Sequence, residues 1–470
     1  ETDKAPVASK APGTSAEPLE LSRVPEWLQS LPAAAGRGYR HLTESVYLPA
    51  DLDEEVFANL VARHAVTPPA LPDAGPLPEI APDRATAFWQ YGLTNRPGDK
   101  TERPLQYVVD AQNRWIMNCF ACHGGTVYGQ TLPGAPNNLY QLQTLTEDVR
   151  SAKLKLSKVL THMDLGSMVM PLGSTVGTTN AVMFGVALMN YRDAELNVHP
   201  FRPAPHMVHH DMDPPAWWLF HRKQRLYADG FAQKGVRGLM QFMLVRENGP
   251  EQFKGWEKDF EDIYAFIESL RPPRYEGPID VQLASAGRTA FNSHCSRCHG
   301  TYATTGEPGT AAAVEYSYPE KLIPMSEVGT DRVRLDSLSS SHRQSYGASW
   351  FAYFGAQETW AQPDGYMAPP LDGIWASAPY FHNGSVPTLW HVLHPDDRPA
   401  VWRRTAVNMD QQRVGLQVEE LSELPAGLSA RSKRHYFDTR AFGKSRQGHD
   451  FPNQLSESER TAILEYLKTL

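Results

Sequence analysis

The 470-residue sequence predicts a mainly α protein built from two similar units joined by long loops and insertions, and three observations carry that expectation. The pentapeptides Cys119-Phe-Ala-Cys122-His123 and Cys295-Ser-Arg-Cys298-His299 repeat one C-x-x-C-H pattern and use every cysteine in the chain. Well downstream of each motif lies a similar octet, Ile263-Tyr-Ala-Phe-Ile-Glu-Ser-Leu270 and Ile463-Leu-Glu-Tyr-Leu-Lys-Thr-Leu470, with apolar residues at the i, i+3, i+4 and i+7 spacing of a helix face. With 34 glycines and 38 prolines, much of the remainder must be loop.

The elements follow in order. Residues 1–20, rich in Ala, Pro, Ser and Thr without periodic apolar positions, read as a flexible tether. A first unit is expected over residues 21–273, with an extra N-terminal segment, a stretch over 105–117 that leads into the first motif, and a buried apolar segment over 181–190. Residues 199–218 set His206, His209, His210, Asp211, Asp213, Trp217 and Trp218 among five prolines, which suits an ordered loop over a site or, more plainly, a surface excursion. Arg271-Pro-Pro-Arg-Tyr-Glu-Gly-Pro278 stops the first octet and marks the boundary, since Pro272 cannot continue a helix. The second unit, residues 274–470, opens with a helix over 284–292 that runs into the second motif. It then carries a long insertion over 301–372 and a Pro-rich stretch centred on Pro379, and closes with a helix announced by Ser456-Glu-Ser-Glu459, an N-cap and capping-box pattern.

Composition narrows the partners. The net charge is −8 and no lysine or arginine run offers a stripe for nucleic acid. No stretch approaches the ~18 apolar residues that cross a bilayer, so no transmembrane span is expected. The C-x-x-C-H spacing is the attachment site of c-type haem, in which two cysteines form thioethers and the adjoining histidine binds iron. A zinc half-site or a redox dithiol would use the cysteines and leave both histidines unexplained. Two covalent haem c groups are therefore expected, on Cys119, Cys122 and His123 and on Cys295, Cys298 and His299. Because haem c is attached outside the bacterial cytoplasm, a periplasmic or otherwise exported address is expected, with the first residues as a tether.

Met367-Ala-Pro-Pro-Leu-Asp-Gly-Ile-Trp375 and Ala378-Pro-Tyr-Phe-His-Asn-Gly-Ser385, following two C-x-x-C-H motifs, resemble the di-haem cytochrome c peroxidase superfamily. Gly384-Ser-Val-Pro-Thr-Leu389 and the histidine pattern are closer to its rubber-oxygenase branch than to the peroxidases. The resemblance implies two cytochrome c-like haem domains and a haem-dependent oxidoreductase, peroxidase-like or oxygenase-like. The first haem would meet a small oxidant, O₂ or H₂O₂, and the second would pass electrons, with a redox partner protein as their source. The chain departs from the peroxidases twice. No histidine lies between His123 and His162, where their distal histidine falls, and His449 stands where they carry the methionine of the second haem. His449 is thus implied as the second axial ligand beside His299, with His394 as its rival. If both irons were six-coordinate the chain would be a plain electron carrier, with His162, His209, His210, Met163, Met168 or Met170 on the first iron. The resemblance further implies a calcium ion held at Asn180, Ser377 and Pro379, and an aromatic relay between the haems at Tyr227, Trp217 or Trp218, against the plainer reading that these rings simply pack. His382 is expected to bond a haem propionate or backbone.

Overall fold

The computed structural model describes residues 26–63, 83–99, 102–302 and 316–470. The expected tether over residues 1–20 and part of the expected insertion, residues 303–315, lie outside the described residues. Helices dominate, and the two most extensive helix-on-helix contacts share one construction.

In the N-terminal half, α1 (Ala33–Glu44) packs on a long helix over Pro250–Ser269, and in the C-terminal half a helix over Val281–His294 packs on one over Glu457–Leu467. A glycine sits at the closest approach in each. A Cβ on Gly38 would stand 2.0 Å from the carbonyl oxygen of Asp262, and one on Gly287 would stand 1.9 Å from that of Ala462. Asp262 and Ala462 each precede the first residue of an octet, so the sequence echo marks the same crossing twice. The N-terminal pair gains a bidentate bond, both oxygens of Asp262 accepting from Arg37 at 2.6 Å. Pro250–Ser269 ends just before Arg271-Pro272, and the final helix starts on a capping box between Ser456 and Glu459, as the sequence implied.

The two halves reach their motifs differently. Val281–His294 runs straight into Cys295 and the short helix Ser296–His299. After α1, by contrast, the chain makes an excursion before returning to Phe120–His123. That return is a three-stranded sheet in which β1 (Leu52–Asp53) and β2 (Tyr107–Val109) flank β3 (Arg114–Met117). Asn118 closes the excursion. Its amide donates to the carbonyls of Leu42, in α1, and Leu105, each at 2.9 Å, while its Oδ1 accepts the Phe120 amide.

Residues 181–190 form a helix, α2 (Ala181–Asn190), but only Met183 and Val186 on it are buried; Val182, Phe184, Leu188 and Met189 line a cavity. Burial there was the expectation, and the helix instead gives its apolar face to an internal space. A second sheet was not foreseen: β4 (Val401–Asp410) pairs antiparallel with β5 (Gly415–Leu421) and β6 (Tyr436–Asp438). It and the chain that follows grip the N-terminal half through Arg404 on Asn138 at 2.6 Å, Arg434 on Glu147 at 2.6 Å and Lys444 on Asp211 at 3.0 Å. Among the described residues no helix is long and apolar enough to cross a membrane.

Candidate functional site

Both motifs hold their histidine by the same device. His123 Nδ1–H donates to the carbonyl of Pro215 at 3.0 Å, and His299 Nδ1–H donates to that of Pro369 at 2.9 Å. A carbonyl only accepts, so in each neutral ring the proton sits on Nδ1 and the Nε2 lone pair is left free for a metal. Desolvation by burial keeps the rings neutral, pushing His123 down to about 4 and His299 below its usual range. The two carbonyls belong to matching Pro-Pro dipeptides, Pro214-Pro215 and Pro369-Pro370. That repeat, visible in the sequence, was the missed signal for these second partners.

The cysteines are free thiols, and burial pushes Cys119 up to about 11, Cys122 to about 12 and Cys295 to about 11. Zinc and disulfide exchange both need the thiolate, which such an environment disfavours. Among the described residues no three of His, Cys, Asp and Glu stand in position to share a metal ion. Both motifs instead face one continuous, largely apolar cavity of ≈ 1970 Å³. That exceeds the ~300–1,000 Å³ of an ordinary ligand pocket. Its wall includes Arg334, which with Arg343 brackets the fully buried carboxylate of Asp229 at 3.3 and 2.8 Å. Two guanidiniums on one carboxylate leave positive charge beside the cavity, suited to the propionates of a porphyrin. Thiols, a histidine with Nε2 free, apolar walls and an excess cation fit haem c.

What faces each histidine differs. His449 lies across from His299 with ring centroids 6.1 Å apart. Two imidazoles each ~2 Å from a shared metal bring their centroids about 6 Å apart, so the spacing suits a six-coordinate iron. The turn that presents His449 is held hard: Gly448 and His449 have φ of +81° and +52°, and the backbone of Gly329 and Thr330 leaves no room for a Cβ on Gly448. The buried Arg398 binds the carbonyls of Gly448 at 2.6 Å and His449 at 3.3 Å. His394 is not brought there. Its Nδ1 donates to the Trp390 carbonyl at 2.7 Å and its Nε2 faces Glu457 at 3.1 Å.

Beside His123 the neighbouring ring is Trp217, stacked at 4.7 Å and 22°, and among the described residues no second histidine ring stands near it. Trp217 therefore packs on the His123 imidazole. Trp218 is buried and its Nε1–H donates to the carbonyl of Asp372 at 3.0 Å, tying the loop that holds His123 to the loop that holds His299. Tyr227 lines the cavity at φ +72°, stacked on Phe231, with its buried hydroxyl unpartnered. Of the other candidates for the first iron, His162, Met163 and Met170 line the cavity, while Met168 is 64% exposed. His209 and His210 are not among the residues that line the cavity; their Nδ1 atoms bond the Asn180 side chain and the Val208 carbonyl. His382 lines the cavity with Nε2 buried and unpartnered, against Tyr366 at 4.4 Å.

Of the groups named for calcium, Asn180 donates its amide to the Pro171 carbonyl and to His209, and its Oδ1 accepts the His210 amide at 3.4 Å. The asparagine that reaches the Ala378-Pro379 backbone is Asn138, which donates to the Ala378 carbonyl at 2.8 Å while its Oδ1 accepts from Arg404. A guanidinium thus already occupies the amide oxygen beside Pro379.

Fold and site are those of a mainly helical chain with a cytochrome c-like domain. Residues 365–403, which include Pro369 and the Ala378-Pro-Tyr stretch, match the family described as RoxA-like, cytochrome c-like, in the rubber-oxygenase branch of the di-haem peroxidase superfamily. Two proteins of Sinorhizobium fredii (strain NBRC 101917 / NGR234) are similar, both described as uncharacterized. Protein y4iM is 29% identical over 39% of this chain and 45% of its own length, and protein y4iJ is 28% identical over 43% of this chain and 41% of its own. The chain spans less than half the length of these curated relatives.

Proposed function

We propose that the chain is a di-haem c-type oxidoreductase whose first motif, at His123, meets O₂ or H₂O₂ and whose second, at His299 and His449, stores and passes electrons. The observation that carries this reading is the difference in what faces the two histidines: an imidazole at 6.1 Å for His299, and none among the described residues for His123. Haem c would supply a one-electron iron at each motif, able to take a small oxidant only where an axial face is free. The chain does the rest. Trp217 and the Pro215 carbonyl fix the His123 ring, and the carbonyl strengthens it as a donor through the Nδ1–H bond. Apolar residues of α2 exclude water from the shared cavity. Electrons enter from a soluble redox partner, and the protein works outside the cytoplasm, where haem c is attached.

The oxidised, haem-loaded protein should give one low-spin and one high-spin signal by electron paramagnetic resonance, and CO should bind half of the reduced haem. Mixing with O₂ or H₂O₂ should perturb only the high-spin Soret band. Two low-spin haems that bind no CO in either redox state would make the chain an electron carrier instead.

A further inference from the structure

One cation on the wall of the shared cavity has no counter-charge. Of the arginines that line it, Arg192 is bonded to the carbonyls of Leu196, Leu244, Val245 and Asn248, Arg202 to those of Asn190 and Arg192, Arg334 to Asp229 and Arg297 to Glu327, while Arg246 is exposed. Lys223 also lines the cavity, and among the described residues its ammonium makes no hydrogen bond and no ion pair. The ammonium is not sealed in protein, since it is not among the buried atoms that lack a partner. It nonetheless lies deep in the molecule, so the surface it keeps is cavity wall.

Lys223 follows the 3-10 helix Trp217–Arg222, which runs from one motif toward the other. Trp217 stacks on His123, whereas Arg222 is ion-paired at 3.1 Å with Asp372, three residues beyond the Pro369 that holds His299. The next two amides, of Gln224 and Arg225, donate to Glu320 at 2.7 and 2.9 Å, and the carbonyl of Lys321 accepts the amide of Ala368, the residue before Pro369. Lys223 therefore stands on the side of the second motif. Burial lowers its pKa below the ordinary value, with Glu320 attracting the charge from beyond ion-pair reach and Lys234, itself paired with Glu268 at 2.6 Å, repelling it. A charge taken out of water needs a partner. Leu219, Phe220 and Leu226, which line the same cavity, offer none. Nor do the carboxyls on the wall: Asp193 is bonded to His199 at 2.9 Å, Glu247 is exposed, and burial raises Asp213 well above the carboxylate range.

We propose that Lys223 binds a propionate of the haem carried by Cys295 and Cys298, and that this ion pair sets how readily that haem takes up an electron. This rests on the function proposed above, which puts haem c at both motifs. A haem joins an apolar ring to carboxylates at its edge, and the apolar wall around one free ammonium receives both parts. Beside the ammonium the charge of the propionate is offset, and an electron entering the ring meets less repulsion. Lys223 thus holds the second haem at a higher potential than an uncharged residue would.

The test is an anaerobic redox titration of the full, haem-loaded chain at neutral pH, following the low-spin haem optically. Lys223→Gln should make its reduction about tenfold less favourable, a fall of ~59 mV for one electron, while Lys223→Arg, which keeps the charge, should restore most of the loss. The potential of the high-spin haem should stay where it is. The propionate bending band in the resonance Raman spectrum should shift in Lys223→Gln and return in Lys223→Arg; a lysine with a merely structural role would move neither. Haem content by mass spectrometry and circular dichroism establish that each variant is folded, and if Lys223→Gln fails there, Lys223→Met, which suits an apolar wall, decides. An unmoved potential in the folded, haem-loaded variant overturns the proposal, as does a shift confined to the high-spin haem. A wild type without haem at the second motif overturns both this proposal and the function proposed above. A wild type that reacts with neither O₂ nor H₂O₂, yet shows the shift on losing Lys223, would sink that function and leave the ion pair standing.

Discussion

The N- and C-terminal halves hold their histidines alike and expose them differently. Each crosses two helices at a glycine, Gly38 or Gly287, and each turns its imidazole with the carbonyl of a Pro-Pro dipeptide. On the opposite side of the ring the likeness ends. The C-terminal half spends a strained turn and a buried arginine, Arg398, to bring one side chain, His449, to His299. The N-terminal half inserts a sheet and leaves the face of His123 to apolar helices. The lesson is that the motif and its histidine-to-carbonyl bond can be repeated unchanged while the residue opposite differs, which the motif does not encode.

The largest effect should come from removing an attachment site. Cys295→Ala with Cys298→Ala is expected to halve the covalent haem by mass spectrometry and leave the first motif loaded, and Cys119→Ala with Cys122→Ala should do the converse. Loss of all haem from either variant would show that the halves are not independent at this level. Next, His449→Ala should convert one haem from low-spin to high-spin, whereas His394→Ala should leave the spectrum alone, because His394 is committed to Trp390 and Glu457. The reverse result would break the comparison at its central point.

The shared helix crossing can be tested through stability. Gly287→Ala and Gly38→Ala each drive a Cβ into a backbone oxygen about 2 Å away, and each should cost about 3 kcal/mol or more in chemical denaturation. Gly36→Ala, on the same helix with open space around it, should be neutral or gain up to about 1 kcal/mol. If Gly287→Ala destabilises and Gly38→Ala does not, the two crossings are not equivalent.

These residues also show what the sequence could and could not disclose. The octets carried helix periodicity, and their register proved to be that of the crossing, because a helix packs by its repeating face. Gly38 and α1 went unrecognised as the partner helix because 74 residues separate Glu44 from Cys119, and local pattern does not report a long-range pairing. His449 was legible through its place just before the last helix. The free ammonium of Lys223 was not, since its lack of a partner is decided only by tertiary packing. The sheet of β4, β5 and β6 escaped because alternation in β4 is broken by Arg403, which pairs with Glu419 of β5, and Arg404, which reaches Asn138 in the other half. For calcium, Asn180 was named through the resemblance alone, and the asparagine that bonds the Ala378 backbone is Asn138.

The smallest expected effect is a difference in acid sensitivity between the two sites. Asp51 is buried beside the first motif and its carboxyl is raised to about 6 by desolvation, above its ordinary value of 3.8. A folded-state value above the unfolded one means the native protein holds this proton more tightly. Stability from that source is therefore complete below about pH 4 and is lost as pH rises through 6. About two units correspond to roughly 3 kcal/mol at most, less after relaxation and whatever His162 returns by attraction. Asp51→Asn, which keeps an acceptor for the Met117 amide, should abolish this dependence. The stability difference between variant and wild type, measured by urea unfolding at a series of pH values, should be flat below about pH 4, grow in the variant's favour to pH 6 and level off above it. The difference cancels every titrating group that does not interact with Asp51, so its shape belongs to Asp51 and the charges beside it. A constant difference across that window would mean that Asp51 titrates as an ordinary exposed carboxylate; at the C-terminal site the sign is opposite, because burial holds His449 neutral down to about 3, so stability from that source is lost as pH falls below its ordinary 6.5.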